Sequence, residues 1–239
     1  RALLFSAPVI LGFVLPELYI RFSENTFNAK VGYIKKHAAE VELLILGTSH
    51  NQNGINPDLL SMPSINAAYG SQDITLDSAL FFHFVPQMDK LKAVVMEMDY
   101  HTLEEKNAPD YFRFPWYYHF YGIECGKFSW LEHVSMYATE PEFFNDYILR
   151  QFDPREYKYQ LSEQGFILND FPGPFEDAKF DSLYLAETAV KRVGHNNLSP
   201  EIAVQNARTM NSVLDYCNSH NLPVILISAP MFSGYIALE

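Results

Sequence analysis

Polar residues that could take part in acyl transfer follow three short apolar runs of the chain. They are Ser49 and His50 after run 41–46, Gly70, Ser71 and Gln72 after run 64–68, and Asp99 and His101 after run 93–98. A serine hydroxyl is a weak nucleophile until a histidine accepts its proton, and backbone amides stabilise the oxyanion that then forms. Ser49 is therefore the candidate nucleophile. The amides of Ser49 and Gly70 are the candidate oxyanion donors, because a glycine lets its amide approach a substrate closely.

Each of these assignments has an alternative. Ser49 could be an ordinary turn serine, and Ser71 could take the position of Gly70 in the oxyanion hole. His50 directly follows the candidate nucleophile, so we expect its side chain to point away from Ser49 and to contact substrate rather than act as the base. Ser71 and Gln72 are further candidate substrate contacts.

Three residues at the end of the third apolar run have more open interpretations. Asp99 and His101 could orient a substrate or bind a metal, but such a pair is more often a solvated strand end. Glu97 interrupts the apolar run itself. We interpret it as a buried, paired carboxylate and assign it no role in the chemistry.

The elements that position these residues follow from the hydrophobic pattern. A buried parallel strand is predicted by the short apolar run at residues 41–46, and residues 93–98 and 224–228 predict two further strands of the same kind. Residues 64–68 predict a weaker strand between them in sequence. Apolar residues at helical spacing predict a helix over residues 74–85. The clearest predicted helix starts at Ser199-Pro200, and Cys217 lies on its packed face. Strands that alternate with helices predict an α/β fold with a parallel sheet, in which ligands bind at the carboxyl ends of the strands.

Two of these strand ends resemble the sequence blocks of the SGNH (GDSL-like) hydrolases. Residues 46–50, Leu-Gly-Thr-Ser-His, resemble the first block, and residues 65–72, Ile-Asn-Ala-Ala-Tyr-Gly-Ser-Gln, resemble the second. Gly-Ile-Asn-Pro at 54–57 and the turn from Ser71 to Asp73 are similar to a bacterial, membrane-anchored branch of the family. The resemblance covers about residues 41–100 and 199–235.

The resemblance implies a flavodoxin-like, three-layer α/β/α sandwich and a serine esterase or acyl transferase. Ser49 would be the nucleophile, and the Ser49 and Gly70 amides would hold the oxyanion. The branch that the chain resembles has largely unassigned substrates, and we expect an acylated small molecule or an acylated glycan of the cell envelope. No cofactor and no metal are implied.

Two departures from the family pattern qualify this interpretation. The third block carries an asparagine after the third strand, whereas residues 96–100 read Met-Glu-Met-Asp-Tyr. The fifth block, Asp-x-x-His, supplies the base and does not occur in the 239 residues. We therefore interpret the chain as a fragment and expect the catalytic histidine beyond residue 239. The missing asparagine favours the alternative of a non-catalytic protein that binds a glycan or a partner during envelope assembly.

Charge and the amino-terminal residues bear on partners and location. The chain has 17 Lys and Arg against 29 Asp and Glu, a net charge of −12, and no basic patch, which argues against a nucleic-acid partner. In residues 2–20 only Glu17 is charged, a length and composition near those of a membrane anchor or signal segment. An amphipathic or buried helix is the alternative. With an anchor or signal, the rest of the chain lies outside the cytoplasm.

The predicted domain organisation is an anchor or signal segment at 1–22 followed by one α/β domain at 23–239. An aromatic-rich insertion at about 101–198 interrupts that domain. Eight aromatic residues crowd eleven positions, Tyr111, Phe112, Phe114, Trp116, Tyr117, Tyr118, Phe120 and Tyr121. We expect them to pack the insertion onto the domain, and a lid or a sugar-stacking platform is the alternative.

Overall fold

Four parallel strands form a single sheet in the computed structural model, which describes residues 2–154, 159–169, 179–185, 187 and 199–230. The strands are β1 (Leu43–Ile45), β2 (Ser64–Asn66), β3 (Ala93–Glu97) and β4 (Val224–Ile227), in the order β2-β1-β3-β4. In the register, Leu44 lies opposite Ile65 on one side and Val94 on the other. The predicted α/β class, parallel sheet and flavodoxin-like arrangement are confirmed.

Helices precede, connect and follow the strands. The α-helices in the described part of the chain include α1 (Ala2–Phe22), α2 (Thr26–His37), α3 (Ser49–Gly54), α4 (Ile74–Phe84), α5 (Tyr100–Glu104), α6 (Phe114–Trp116), α7 (Trp130–Val134), α8 (Pro141–Phe152) and α9 (Pro200–Ser219). Short 3-10 turns lie at Ala38–Glu40, Pro57–Leu59, Val85–Gln87 and Tyr137–Thr139, and a π-helical turn lies at Tyr117–Tyr121. Side-chain caps set where the two predicted helices begin: Asp73 accepts from the Leu76 amide, and Ser199 accepts from the Ile202 amide.

Alternate residues of the central strands face opposite sides of the sheet. Leu44, Leu46, Val94 and Met96 lie in the large core, which α2, α4 and α9 complete. Leu43, Ile45 and Val95 lie in a smaller cluster on the other face. Both faces of β1 and β3 are therefore buried, which explains why these strands read as continuous apolar runs. Cys217 is buried on α9, as predicted, and burial raises the pKa of its thiol to about 11.

The aromatic residues of the insertion pack into the core. Phe114, Trp116, Tyr117, Phe120 and Tyr121 are buried, and the other three of the eight are half-buried. The ring of Phe27 from α2 stacks on Phe120, with ring centroids 5.1 Å apart. The expected packing role is confirmed for this stretch. Parts of the insertion, residues 155–158, 170–178, 186 and 188–198, lie outside the described residues.

Helix α1 docks onto the domain through its carboxyl-terminal half. Glu17 accepts hydrogen bonds from the backbone amides of Met136 and Tyr137, at 3.1 and 2.8 Å, and forms an ion pair with Arg21. Burial alone would raise the pKa of Glu17, but these hydrogen bonds outweigh it and lower the pKa. Apolar side chains elsewhere on the helix, such as Leu15, are exposed. Within the described residues, no helix has the length and apolar character needed to span a membrane.

Candidate functional site

The carboxyl ends of β1 and β2 bring Ser49 next to Gly70. Ser49 is the first residue of α3, and Thr48 before it is the N-cap, with a side chain that accepts from the His50 amide. The Ser49 Cβ lies 3.8 Å from the point where a Cβ on Gly70 would stand. Ser49 is half-buried. The structure thus places the candidate nucleophile beside the candidate oxyanion loop.

The Gly70 amide already has an acceptor. It donates to Oε1 of Gln52 at 2.8 Å, while the Gly70 carbonyl accepts from Arg113. The guanidinium of Arg113 lies over the ring of Tyr69, 5.3 Å from its centroid. Ser71, the alternative oxyanion donor, has a positive φ of 60°, so the turn bends sharply directly after Gly70. Arg113 and Gln52 were not predicted, because both reach the loop from distant parts of the sequence.

Glu97, at the end of β3, is the centre of a second cluster. Its Oε1 accepts from Nδ1 of His50 at 2.8 Å and from Nε2 of His101 at 2.9 Å. Its Oε2 accepts from the amide and the hydroxyl of Thr48, at 2.6 and 2.9 Å. Burial alone would raise the pKa of Glu97, but the hydrogen bonds from His101, His50 and Thr48 outweigh it and hold the pKa well below its usual range. The prediction of a buried, paired carboxylate is confirmed.

The sequence favoured a solvated strand end at Asp99 and His101, and this interpretation was wrong. Their side chains are only 9% and 11% exposed. Asp99 accepts from the Ser228 hydroxyl and from the Ala229 amide, so the chain after β4 covers it. The contact could not be predicted because it joins residues about 130 positions apart. The alternatives of a metal ligand or a substrate-orienting pair stand.

His50 contacts both carboxylates of this cluster. Its Nδ1 is 2.8 Å from Glu97 and 3.3 Å from Oδ2 of Asp99. The hydrogen bond to Glu97 raises the pKa of His50, and burial only partly offsets this effect. The ligand atoms of His50, Glu97, Asp99 and His101 all lie within 4.8 Å of one another. We refer to these four side chains as the histidine–carboxylate cluster.

A buried hydrogen-bond network lies behind both groups. Oδ1 of Asp77 accepts from the Gly47 amide at 2.9 Å and from Nε2 of Gln72 at 2.6 Å. Oε1 of Gln72 in turn accepts from the Tyr117 hydroxyl at 2.6 Å. Burial raises the pKa of Asp77 to about 8. Gln72 is thus a buried member of this network, and it also lines the cavity described below, so its predicted contact with substrate stays a prediction.

Gly47 forms the sharp exit from β1 that the site requires. Its φ is +133°, which side chains with a Cβ rarely adopt, and a Cβ there would lie 2.7 Å from Oε2 of Glu97. The second-nearest atom, Nδ2 of Asn51, would be 2.8 Å away. The absence of a side chain at residue 47 is what lets the Glu97 carboxylate reach the Thr48 amide.

A cavity of about 460 Å³ opens beside the histidine–carboxylate cluster. Most of its charged lining residues are acidic: Asp73, Asp77, Glu97, Glu104 and Glu105 are on its walls. Lys106 and His101 also line it, and in the part of the chain that the structure describes Lys106 is the one lysine or arginine among the lining residues.

Comparisons with protein families, with curated proteins and with solved structures find no match to this chain. The assignment of a function therefore depends on the residues and geometry described above.

Proposed function

We propose that this protein is a serine-dependent acyl hydrolase or acyl transferase of the SGNH type, with Ser49 as the nucleophile. The observation that carries the proposal is the position of Ser49 at the carboxyl end of β1, with its Cβ facing the Gly70 loop. In open parallel sheets this edge is where ligands bind. The proposed substrate is an acylated small molecule or an acylated glycan of the cell envelope.

An oxyanion hole at Gly70 requires the substrate to take the place of Gln52. Its side-chain oxygen accepts from the Gly70 amide at 2.8 Å, the distance at which an amide would hold a substrate oxyanion. That oxygen thus stands where the oxyanion would form, and a substrate carbonyl would displace it. Loss of one such donor costs on the order of 10²-fold to 10³-fold in kcat.

The proposed proton acceptor for Ser49 is a histidine downstream of residue 239, as in the family that the chain resembles. We further propose that α1 anchors the protein at a membrane, with the α/β domain outside the cytoplasm. Exposed apolar side chains on α1, Ile10 and Leu11 among them, support this part of the proposal.

Labelling with a fluorophosphonate probe tests the nucleophile, because the probe reacts only with activated serines. The natural full-length protein should be labelled, and Ser49→Ala should abolish labelling while circular dichroism stays unchanged. Ser61→Ala, at an exposed serine before β2, is the matched control and should be labelled like the wild type. Equal labelling of Ser49→Ala and the wild type would exclude Ser49 as the nucleophile.

One observation favours a second function, that of a binding protein without catalysis. The Gly70 amide is already satisfied by Gln52, so this arrangement carries no vacant donor at that position. If the full-length protein has a downstream Asp-x-x-His and is still not labelled, the binding function is the better account.

Fractionation tests the location: recovery of the unprocessed full-length protein with the cytosol would contradict the proposed anchor.

A further inference from the structure

The histidine–carboxylate cluster has the donors and spacing of a metal site. His50 follows β1, whereas Glu97, Asp99 and His101 come from the end of β3 and the residues after it, so two adjacent strands converge on one point. We propose that His50, Glu97, Asp99 and His101 bind a divalent first-row transition metal ion, for which Zn²⁺ is the probe. This site is separate from the proposed nucleophile and does not depend on the hydrolase proposal.

The distances between the donors fit one ion held by all four side chains. The ring nitrogens of His50 and His101 are 2.8 and 2.9 Å from the same Glu97 oxygen, and His50 is 3.3 Å from Asp99. Four ligands at zinc bond lengths of roughly 2.0–2.1 Å stand about 3.3 Å apart at the corners of a tetrahedron. Small side-chain rotations would therefore seat the ion without a change in the backbone. Imidazole and carboxylate donors together are typical ligands of Zn²⁺ and of the neighbouring divalent metals.

The charge of the cluster also favours a cation. Two carboxylates, those of Glu97 and Asp99, approach the same imidazole and have little exposure to water. In the part of the chain that the structure describes, neither one forms an ion pair with a lysine or an arginine. Buried carboxylates are costly unless a positive charge compensates them, and a dication between them would do so.

Surrounding groups hold both carboxylates in the orientation that a metal needs. The Thr48 amide donates to Oε2 of Glu97, and the Thr48 hydroxyl lies within hydrogen-bond distance of both carboxylate oxygens, at 2.8 and 2.9 Å. These contacts fix the carboxylate with Oε1 beside the two imidazoles. The Ser228 hydroxyl and the Ala229 amide hold Asp99 in the same way. Hydrogen bonds of this kind orient ligands at metal sites, and their loss typically lowers metal affinity by about 10-fold to 100-fold.

An ion can reach the cluster from solvent. Glu97 and His101 line the cavity of about 460 Å³, and the His50 side chain is 48% exposed. Three of the four donors are thus fixed and largely buried, and the fourth lies at the surface. The acidic walls of the cavity raise the local concentration of cations.

Calorimetric titration with Zn²⁺ tests the proposal. The full-length protein is purified in the presence of a chelator, which is removed before the titration. We expect one strongly bound ion per chain, and at least about tenfold weaker binding in His101→Ala and Glu97→Gln. His50→Ala changes an exposed side chain, so it keeps the proposal testable if Glu97→Gln does not fold. Thr48→Val should weaken binding by about 10-fold to 100-fold, because it removes the hydroxyl that orients Glu97.

The matched control is His83→Ala, which removes an exposed imidazole on α4 and should leave the affinity unchanged. Circular dichroism of each variant without metal shows whether the fold is kept. The proposal is overturned if the wild type takes up no stoichiometric Zn²⁺, or if folded His50→Ala and His101→Ala bind it as tightly as the wild type. Labelling of Ser49 is a separate readout, so the two proposals can fail independently.

Discussion

Replacing Gly47 by alanine should destabilise the protein strongly, although only one methyl group is added. The new Cβ would stand 2.7 Å from Oε2 of Glu97 and 2.8 Å from Nδ2 of Asn51, both closer than real Cβ contacts. The residue would also have to keep a φ of +133°. Residue 47 lies at the end of β1, so neither the strand nor the Glu97 side chain can move away freely.

The expected loss has two parts. A strained backbone angle for a residue with a Cβ costs of order 1–3 kcal/mol. Overpacking in a dense region typically costs another 1–3 kcal/mol, so the free energy of unfolding should fall by about 2–6 kcal/mol. That is a large share of the roughly 5–15 kcal/mol that stabilises a typical domain.

Urea denaturation followed by circular dichroism measures this change. The matched control is Gly32→Ala in the middle of α2, where a Cβ would meet nothing within 4 Å. That change should stabilise the protein by roughly 0.5–1 kcal/mol, because alanine loses less entropy than glycine in a helix. A Gly47→Ala variant whose unfolding free energy stays within about 1 kcal/mol of the wild type would refute the packing argument.

Three further changes have defined outcomes. The pKa of Asp77 is about 8 in the folded protein and near 3.8 in the unfolded chain. Protonation of Asp77 therefore stabilises the folded state fully below pH 3.8, and this contribution is lost as the pH rises towards 8. Asp77→Asn should therefore flatten the fall in the free energy of unfolding between pH 5 and pH 8, whose steepest slope is about 1.4 kcal/mol per pH unit. Urea denaturation at each pH measures this, and exposed Asp89→Asn should leave the fall unchanged. Tyr117→Phe leaves Oε1 of buried Gln72 without its donor and should lower the unfolding free energy by about 1–3 kcal/mol; an unchanged urea midpoint would contradict this. Glu17→Ala removes the acceptor of two backbone amides and should speed their hydrogen exchange severalfold, and unaltered protection would show that α1 is held by other contacts.

Strands β1 and β3 could be predicted from sequence because they are buried on both faces and are therefore apolar along their length. The run that forms β4 is just as apolar, but Ile225 and Leu226 are exposed, so the expectation of a buried strand was wrong there. Each central strand is a run of apolar residues that ends at a glycine or an acid, and the predicted runs contain all four observed strands. The helix starting at Pro200 was equally readable, since its cap and its apolar face are local features. Secondary structure and fold class followed from such short-range information.

The histidine–carboxylate cluster could be predicted only in part, because its contacts are long-range. Glu97 was recognisable as buried and paired from its place in an apolar run, but its partner His50 is 47 residues away. The burial of Asp99 depends on Ser228, beyond the whole insertion. Likewise, the Gly70 amide meets Gln52 through a loop conformation that no local pattern encodes. These contacts needed the three-dimensional structure.

The acidic walls of the cavity have a consequence for the molecules that can enter it. Asp73, Glu104 and Glu105 face the same space as Glu97, and Lys106 is the one lysine or arginine among the described residues that line it. At an ionic strength of 0.15 M such charges act over about 8 Å, which is enough to cover the mouth of a cavity of this size. A phosphorylated or carboxylated molecule would therefore be slowed on approach, whereas a neutral or amino-bearing sugar would not. Added salt should quicken the arrival of anions and slow that of cations.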